Sequence, residues 1–148
     1  MSSTMRVLVA DDEPSIRFVL SESLGEHGCD VHEVDDGDAA FEALAEGGFD
    51  LAFLDIRMPG QTGLELLERC REIGCETAIV IMTAQNTFDN AVEAMKQGAL
   101  DYLVKPFGIR EVEALVEKAR RARALEREVV ARRPASRRSA TTSRSSAR

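Results

Sequence analysis

The chain has 148 residues, 44% hydrophobic and 30% charged, which suits one globular domain large enough to bury its own core. No apolar run approaches a membrane span and the N-terminus lacks the basic-then-apolar pattern of a signal peptide, so a cytoplasmic protein with no membrane partner is expected. The formal net charge is −7, and residues 132–148 hold six arginines and no acid; removing that +6 leaves −13 on residues 1–131, which argues against nucleic acid binding by the body and is compatible with a cation site.

Met5 to Ala10 reads as a buried first strand, closed by the three acids Asp11, Asp12 and Glu13. Pro14 fits the first turn of a helix, and Ile16, Val19, Leu20 and Leu24 recur at helical spacing up to Gly28, which can cap the helix in the left-handed conformation. Cys29 to Val34 shows the partial alternation of an edge strand. Asp35-Asp36-Gly37 then turns the chain into a brief helix through Ala39, Ala40, Phe41, Ala43 and Leu44, stopped at Gly47-Gly48. Leu51 to Leu54 is an apolar run bounded by Asp50 on one side and by Asp55 and Pro59-Gly60 on the other, the pattern of a strand buried on both faces. It delivers the Asp55 carboxylate to its end, where desolvation is costly unless a cation or donors meet it.

Thr62-Gly63-Leu64-Glu65 has capping-box spacing, and Leu64, Leu67, Cys70 and Ile73 continue as a third helix to Gly74. Thr77 to Met82 is a fourth buried strand ending at Thr83-Ala84. Phe88, Ala91, Val92 and Met95 mark a fourth helix ended at Gly98, and Leu100 to Val104 a fifth strand ended at Lys105-Pro106. From Ile109 the stripe Val112, Leu115, Val116, Ala119, Ala122, Leu125 and Val129 outruns what a sheet needs. The excess, from about Ala119 to Val130, can pair with another helix or stand as a frayed solvent helix. Arg132 to Arg148 carries no large apolar residue, and disorder is expected there. The chain thus divides into a domain at 1–131, with an extended last helix, and a basic tail at 132–148. Cys29, Cys70 and Cys75 are an odd number without zinc spacing and read as reduced, structural thiols.

Strands alternating with helices predict an α/β fold, a doubly wound five-stranded parallel sheet with helices on both faces and function at the strand C-terminal ends. Asp11, Asp12, Asp55, Thr83 and Lys105 stand at those ends. Singly, each has a bland explanation as a helix cap, a turn residue or a surface charge. Gathered at one edge, the three carboxylates repel each other unless a cation compensates. The chemistry that fits is a hard divalent ion, Mg²⁺ or Mn²⁺, on carboxylate oxygen, with Asp55 as nucleophile toward a phosphoryl group, Lys105 as its point charge and Thr83 as a donor.

Asp11-Asp12, Asp55, Thr83-Ala84 and Lys105-Pro106-Phe107, at these separations, resemble the receiver domain of two-component response regulators over about residues 5–125. The resemblance implies a flavodoxin-like sheet of strand order 2-1-3-4-5 and phosphorylation of Asp55 by a histidine kinase. It implies Mg²⁺ ligation by Asp12, Asp55 and the backbone carbonyl of Arg57, with Asp11 acting through water. Lys105 would contact the phosphoryl group ahead of a cis peptide to Pro106, and Thr83 and Tyr102 would form a switch pair. Tyr102 has a plainer reading, an edge-strand aromatic with its hydroxyl in solvent. Arg57 and Gln85, two residues after Asp55 and Thr83, are candidates to tune the phosphoryl lifetime. Such a domain catalyses only its own phosphorylation and dephosphorylation.

Asp55 to Gly60 and Asn86 to Val92 are most similar to the nitrogen-regulation class of enhancer-binding transcription activators, whose receivers precede an AAA+ ATPase and a DNA-binding domain. No Gly-rich phosphate loop followed by Lys-Ser or Lys-Thr occurs in this sequence, which leaves a receiver fragment or a stand-alone receiver. Homodimerisation through the fourth helix, fifth strand, fifth helix and its extension is expected. Nucleic acid would be met through a separate output domain or, less favoured than a solvated linker, through the basic tail. The competing reading is a hydrolase working through an aspartyl-phosphate. That enzyme would need a second acid to serve the leaving group, and Arg57 cannot be one.

Overall fold

A computed structural model describes residues 4–84 and 88–132; the lifetime candidate Gln85, the motif residues Asn86 and Thr87, and residues 133–148 of the tail lie outside the described residues. Five strands, β1 (Met5–Ala10), β2 (Cys29–Val34), β3 (Leu51–Asp55), β4 (Ala78–Thr83) and β5 (Asp101–Val104), alternate with five helices. The helices are α1 (Pro14–Glu26), α2 (Gly37–Glu46), α3 (Gly63–Glu72), α4 (Phe88–Lys96) and α5 (Ile109–Arg132). The sheet is parallel throughout in the order β2-β1-β3-β4-β5. This is the doubly wound architecture expected from the sequence.

Side-chain alternation along the central strands divides the core in two. Leu8, Ala10 and Leu54 pack with Leu44 of α2, Leu66 of α3 and Ala94 of α4 on one face. Val7, Val9 and Phe53 pack with Leu24 of α1 and Val112, Leu115 and Val116 of α5 on the other. All five residues of β3 are buried, as a strand covered on both faces requires. Each fully buried Leu or Phe stabilises the fold by about 2–3 kcal/mol relative to an exposed one.

Local signals set most helix ends. Gly28 takes the left-handed conformation with φ +77°. The Thr62 hydroxyl accepts from Glu65 N at 3.1 Å while Glu65 accepts from Thr62 N at 2.9 Å, completing the capping box. Asp36 Oδ1 accepts from Ala39 N at 2.7 Å, so Asp36 caps α2 and Gly37 belongs to the helix, not to the turn the sequence suggested.

Within α4, Ala91 and Ala94 are buried, whereas Val92 and Met95 are 37% and 42% exposed. Small residues let α4 approach the strands closely, which leaves its larger apolar side chains at the margin. Ile73 is exposed because it caps α3 from outside the helix, and Leu66 fills the core. The thiols of Cys70 and Cys75, expected to be structural, are brought together with Cα atoms 5.1 Å apart. Gly74, at φ +74°, folds the chain back so that Cys75 N donates to Cys70 O at 2.9 Å. Cys29 is a free thiol, pushed above its usual pKa by burial against the opposing pull of Arg120.

The α5 stripe is buried as far as Ala119, and beyond it Leu125 is 60% exposed, so the helix overhangs the sheet. A cleft of about 870 Å³ lies under that overhang, lined by Phe49, Asp50, Ile73, Ala122 and Arg123, with Arg123 Nε 3.2 Å from Asp50 Oδ1. It sits at the N-terminal edge of the strands, away from the acidic cluster. Among the described residues no helix is long and apolar enough to cross a membrane.

Candidate functional site

Parallel strands pointing one way bring Asp11, Asp55, Thr83 and Lys105 to a common edge, because β1, β3, β4 and β5 end there in register. β3 lies between β1 and β4 at the sheet centre, so Asp55 has a neighbour on each side. Carboxylate oxygens of Asp11, Asp12 and Asp55 lie within 4.8 Å of one another. Asp11, Asp55 and Thr83 are buried, and Asp12 is exposed.

Lys105 bridges this cluster. Its Nζ is 2.8 Å from Asp11 Oδ2 and 3.3 Å from Asp55 Oδ2, and the Lys105-Pro106 peptide that precedes the loop is cis, as the resemblance implied. Burial works against the Lys105 charge, yet the hydrogen bond and charges of Asp11 and Asp55 outweigh it and raise its pKa. For Asp55, burial first and the Asp11 charge second outweigh Lys105 and the Arg57 amide, pushing the carboxyl up to about 6.

Backbone groups hold the carboxylates in place. Asp11 Oδ1 accepts from Glu13 N at 2.9 Å, and Asp55 Oδ1 accepts from Arg57 N at 3.3 Å. The loop after β3 is itself pinned: Ile56 N donates to Met82 O at 2.8 Å and Gly37 N to Pro59 O at 2.8 Å. A Cβ at Gly37 would run into the Gln61 backbone, and one at Gly63 would stand 2.7 Å from Asp55 O. Both glycines are thus required by close approach.

Three acids against one ammonium leave the cluster short of positive charge. Asp11 Oδ2 is buried, and its partner is the Lys105 ammonium at 2.8 Å. A small, hard cation on carboxylate oxygen would balance the remaining negative charge, so the donor set fits Mg²⁺. Thr83 presents its hydroxyl at the same edge, with Oγ1 donating to Ala84 O at 3.4 Å. Tyr102 lies on edge strand β5 and is 40% exposed.

Two contributors escaped the sequence reading. Glu13 Oε1 stands 3.5 Å from Lys105 Nζ; its place directly after Asp11-Asp12 was the available signal. Arg17 donates from Nη1 to Asp11 O at 2.7 Å and pairs with Glu33 at 3.3 Å, fixing the end of β1. No local pattern marked it.

Residues 7–117 match the family model described as the response regulator receiver domain. The DNA-binding transcriptional regulator NtrC of Escherichia coli (strain K12) is 45% identical over 113 residues, which are 76% of this chain and 24% of that protein. The two-component response regulator PhoP of Pseudomonas aeruginosa is 40% identical over 110 residues, 74% of this chain and 49% of that protein. Among solved structures, NtrX from Brucella abortus superposes with a TM-score of 0.81 at 30% identity, covering 89% of this chain and 30% of that one. The receiver domain of Francisella response regulator 1452 gives a TM-score of 0.74 at 31% identity, covering 80% of this chain and 99% of that one. The chain spans about a quarter of the length of the NtrC relatives it matches.

Proposed function

The chain belongs to the response regulator receiver domain family, and we propose that Asp55 accepts a phosphoryl group from a histidine kinase in a reaction that uses Mg²⁺ or Mn²⁺. The observation that carries this reading is the convergence of Asp11, Asp12 and Asp55 within 4.8 Å, with Lys105 Nζ bridging two of them.

In the proposed reaction an Asp55 oxygen attacks phosphorus as the bond to the kinase histidine nitrogen breaks. At neutral pH Asp55 is mostly ionised even with its pKa near 6, so the nucleophile needs no separate base. Asp12, Asp55 and the Arg57 carbonyl would hold the cation, with Asp11 acting through water. When bound, the ion neutralises charge on the phosphoryl oxygens. Lys105 supplies a second positive charge, and the Thr83 hydroxyl donates to a phosphoryl oxygen.

The phosphoryl group then draws Thr83 toward it by new hydrogen bonds, and Tyr102 moves inward from its exposed place on β5. Arg57 beside the site tunes water access and hence the phosphoryl lifetime, as does Gln85. The domain occupies residues 1–131, with the basic segment 132–148 after it. Homodimerisation uses α4, β5, α5 and the α5 overhang, elements on which Val92, Met95, Tyr102 and Leu125 are exposed. The output is transcriptional, through a DNA-binding partner domain, and the protein works in the cytoplasm without turning over an independent substrate.

Incubation with phosphoramidate and MgCl₂, read by intact mass, tests the reading. One stable phosphoryl addition that is lost in Asp55→Asn is expected. Addition to the variant, or multiple turnover of a phosphate ester, would overturn it.

A further inference from the structure

Lys105 is surrounded by three carboxylates, and one of them stands outside the cation cluster. Its Nζ lies 2.8 Å from Asp11, 3.3 Å from Asp55 and 3.5 Å from Glu13. Asp11 and Asp55 are buried members of the acidic cluster, whereas the Glu13 side chain is 60% exposed and belongs to no such group. Backbone bonds hold Glu13 where it is: its N–H donates to Asp11 Oδ1 at 2.9 Å, and its carbonyl accepts from Ile16 N and Arg17 N at 3.1 and 3.2 Å. Glu13 is the N-cap of α1, yet its side chain makes no capping bond. What the side chain contributes is the ion pair with Lys105.

Resting on the reading of Asp55 as phosphoacceptor, we propose that Glu13 is a positioning residue that shares the Lys105 ammonium with Asp55 and so sets how much of that charge reaches an incoming phosphoryl group. An ammonium has three donors, and one aimed at Glu13 is withheld from a phosphoryl oxygen. The Glu13 charge at the mouth of an acidic site also repels an anionic phosphodonor. Both effects slow phosphorylation. For a cation the sign is reversed, because the same negative charge attracts it. Glu13 therefore exchanges phosphoryl entry for cation affinity, and a residue that merely supported the fold would move the two together.

The test uses the full chain as wild type, Glu13→Gln and Glu13→Asp. The initial rate of Asp55 phosphorylation by phosphoramidate is measured at saturating MgCl₂, and Mg²⁺ affinity by amide-shift titration without the donor. Glu13→Gln, which removes the charge but not the shape, is expected to react about two- to fivefold faster and to bind Mg²⁺ about twofold more weakly, the range an exposed ion pair commands. Glu13→Asp keeps the charge but is too short for the contact, so it should react faster than wild type at unchanged Mg²⁺ affinity. A Glu13→Gln rate at or below wild type, or a Glu13→Asp rate equal to wild type, overturns the proposal. A wild type that takes no phosphoryl group refutes the phosphoacceptor reading instead. The Mg²⁺ arm then still decides: weaker binding by Glu13→Gln alone upholds its share in the site's charge, and equal binding by all three removes it.

Discussion

Asp55→Asn should stabilise the metal-free protein above neutral pH, although it destroys the proposed phosphoacceptor. An acid whose pKa rises from 3.8 to about 6 on folding opposes folding by roughly 3 kcal/mol once fully ionised, at about 1.4 kcal/mol per pKa unit. Water reaching the site past exposed Asp12 and Glu13 screens part of that cost, which leaves about 1–2 kcal/mol for the substitution to recover. The amide keeps an Oδ1 acceptor for Arg57 N, now at 3.3 Å from Asp55 Oδ1, while its Nδ2 replaces the Oδ2 that stands 3.3 Å from Lys105 Nζ, and that lost contact is part of why the recovery is below the full ~3 kcal/mol.

The pH window follows from the same shift. Below about pH 3.8 the carboxyl is protonated in folded and unfolded chains alike and costs nothing; between 3.8 and 6 the folded chain holds the proton more tightly and stability falls as pH rises; above 6 the cost is complete. Urea unfolding in EDTA from pH 4 to pH 8 should therefore show variant and wild type converging at the acid end and separating above pH 6. The corresponding rise in Tm at pH 8 is about 4–8 °C. Equal stability at pH 8, or a gap that does not change with pH, would show that Asp55 carries no electrostatic strain and would remove the argument for a cation there.

Mg²⁺ at ten times its Kd should raise wild-type stability by about 1.4 kcal/mol, and Asp12→Ala, which deletes an exposed cluster member, should lose that gain in thermal melts. Gly37→Ala places a methyl group against the Gln61 backbone and displaces the loop bearing the Arg57 carbonyl. A loss of about 1–3 kcal/mol in urea unfolding is expected, with weaker Mg²⁺ binding by titration. Thr62→Ala removes one half of the capping box on α3 and should cost about 1 kcal/mol without altering Mg²⁺ affinity.

Much of this protein is local in origin and so could be read from the chain. Apolar runs such as Leu51 to Leu54, and breaks such as Gly28 and Gly74, act over a few residues, which is why element positions agree to within a residue or two at most ends. The meeting of Asp11, Asp12, Asp55, Thr83 and Lys105 at one edge was legible because a parallel sheet sends all strand ends there. Strand order was different: periodicity does not contain it, and it came from the resemblance.

What the sequence by itself determined is thus the elements and the kinds of group that meet at the strand ends. Only the tertiary structure decided which of those groups touch, since Glu13 and Lys105 lie far apart in the chain and come to 3.5 Å only when β1 and β5 are placed in one sheet. It also decided that alanines, not Val92 and Met95, face the strands from α4. Helical spacing names two possible apolar faces there, and the distance between helix and sheet selects the one that fits. The raised pKa of Asp55 has the same origin: burial and the nearby Asp11 charge are properties of the assembled edge, and no residue carries them alone.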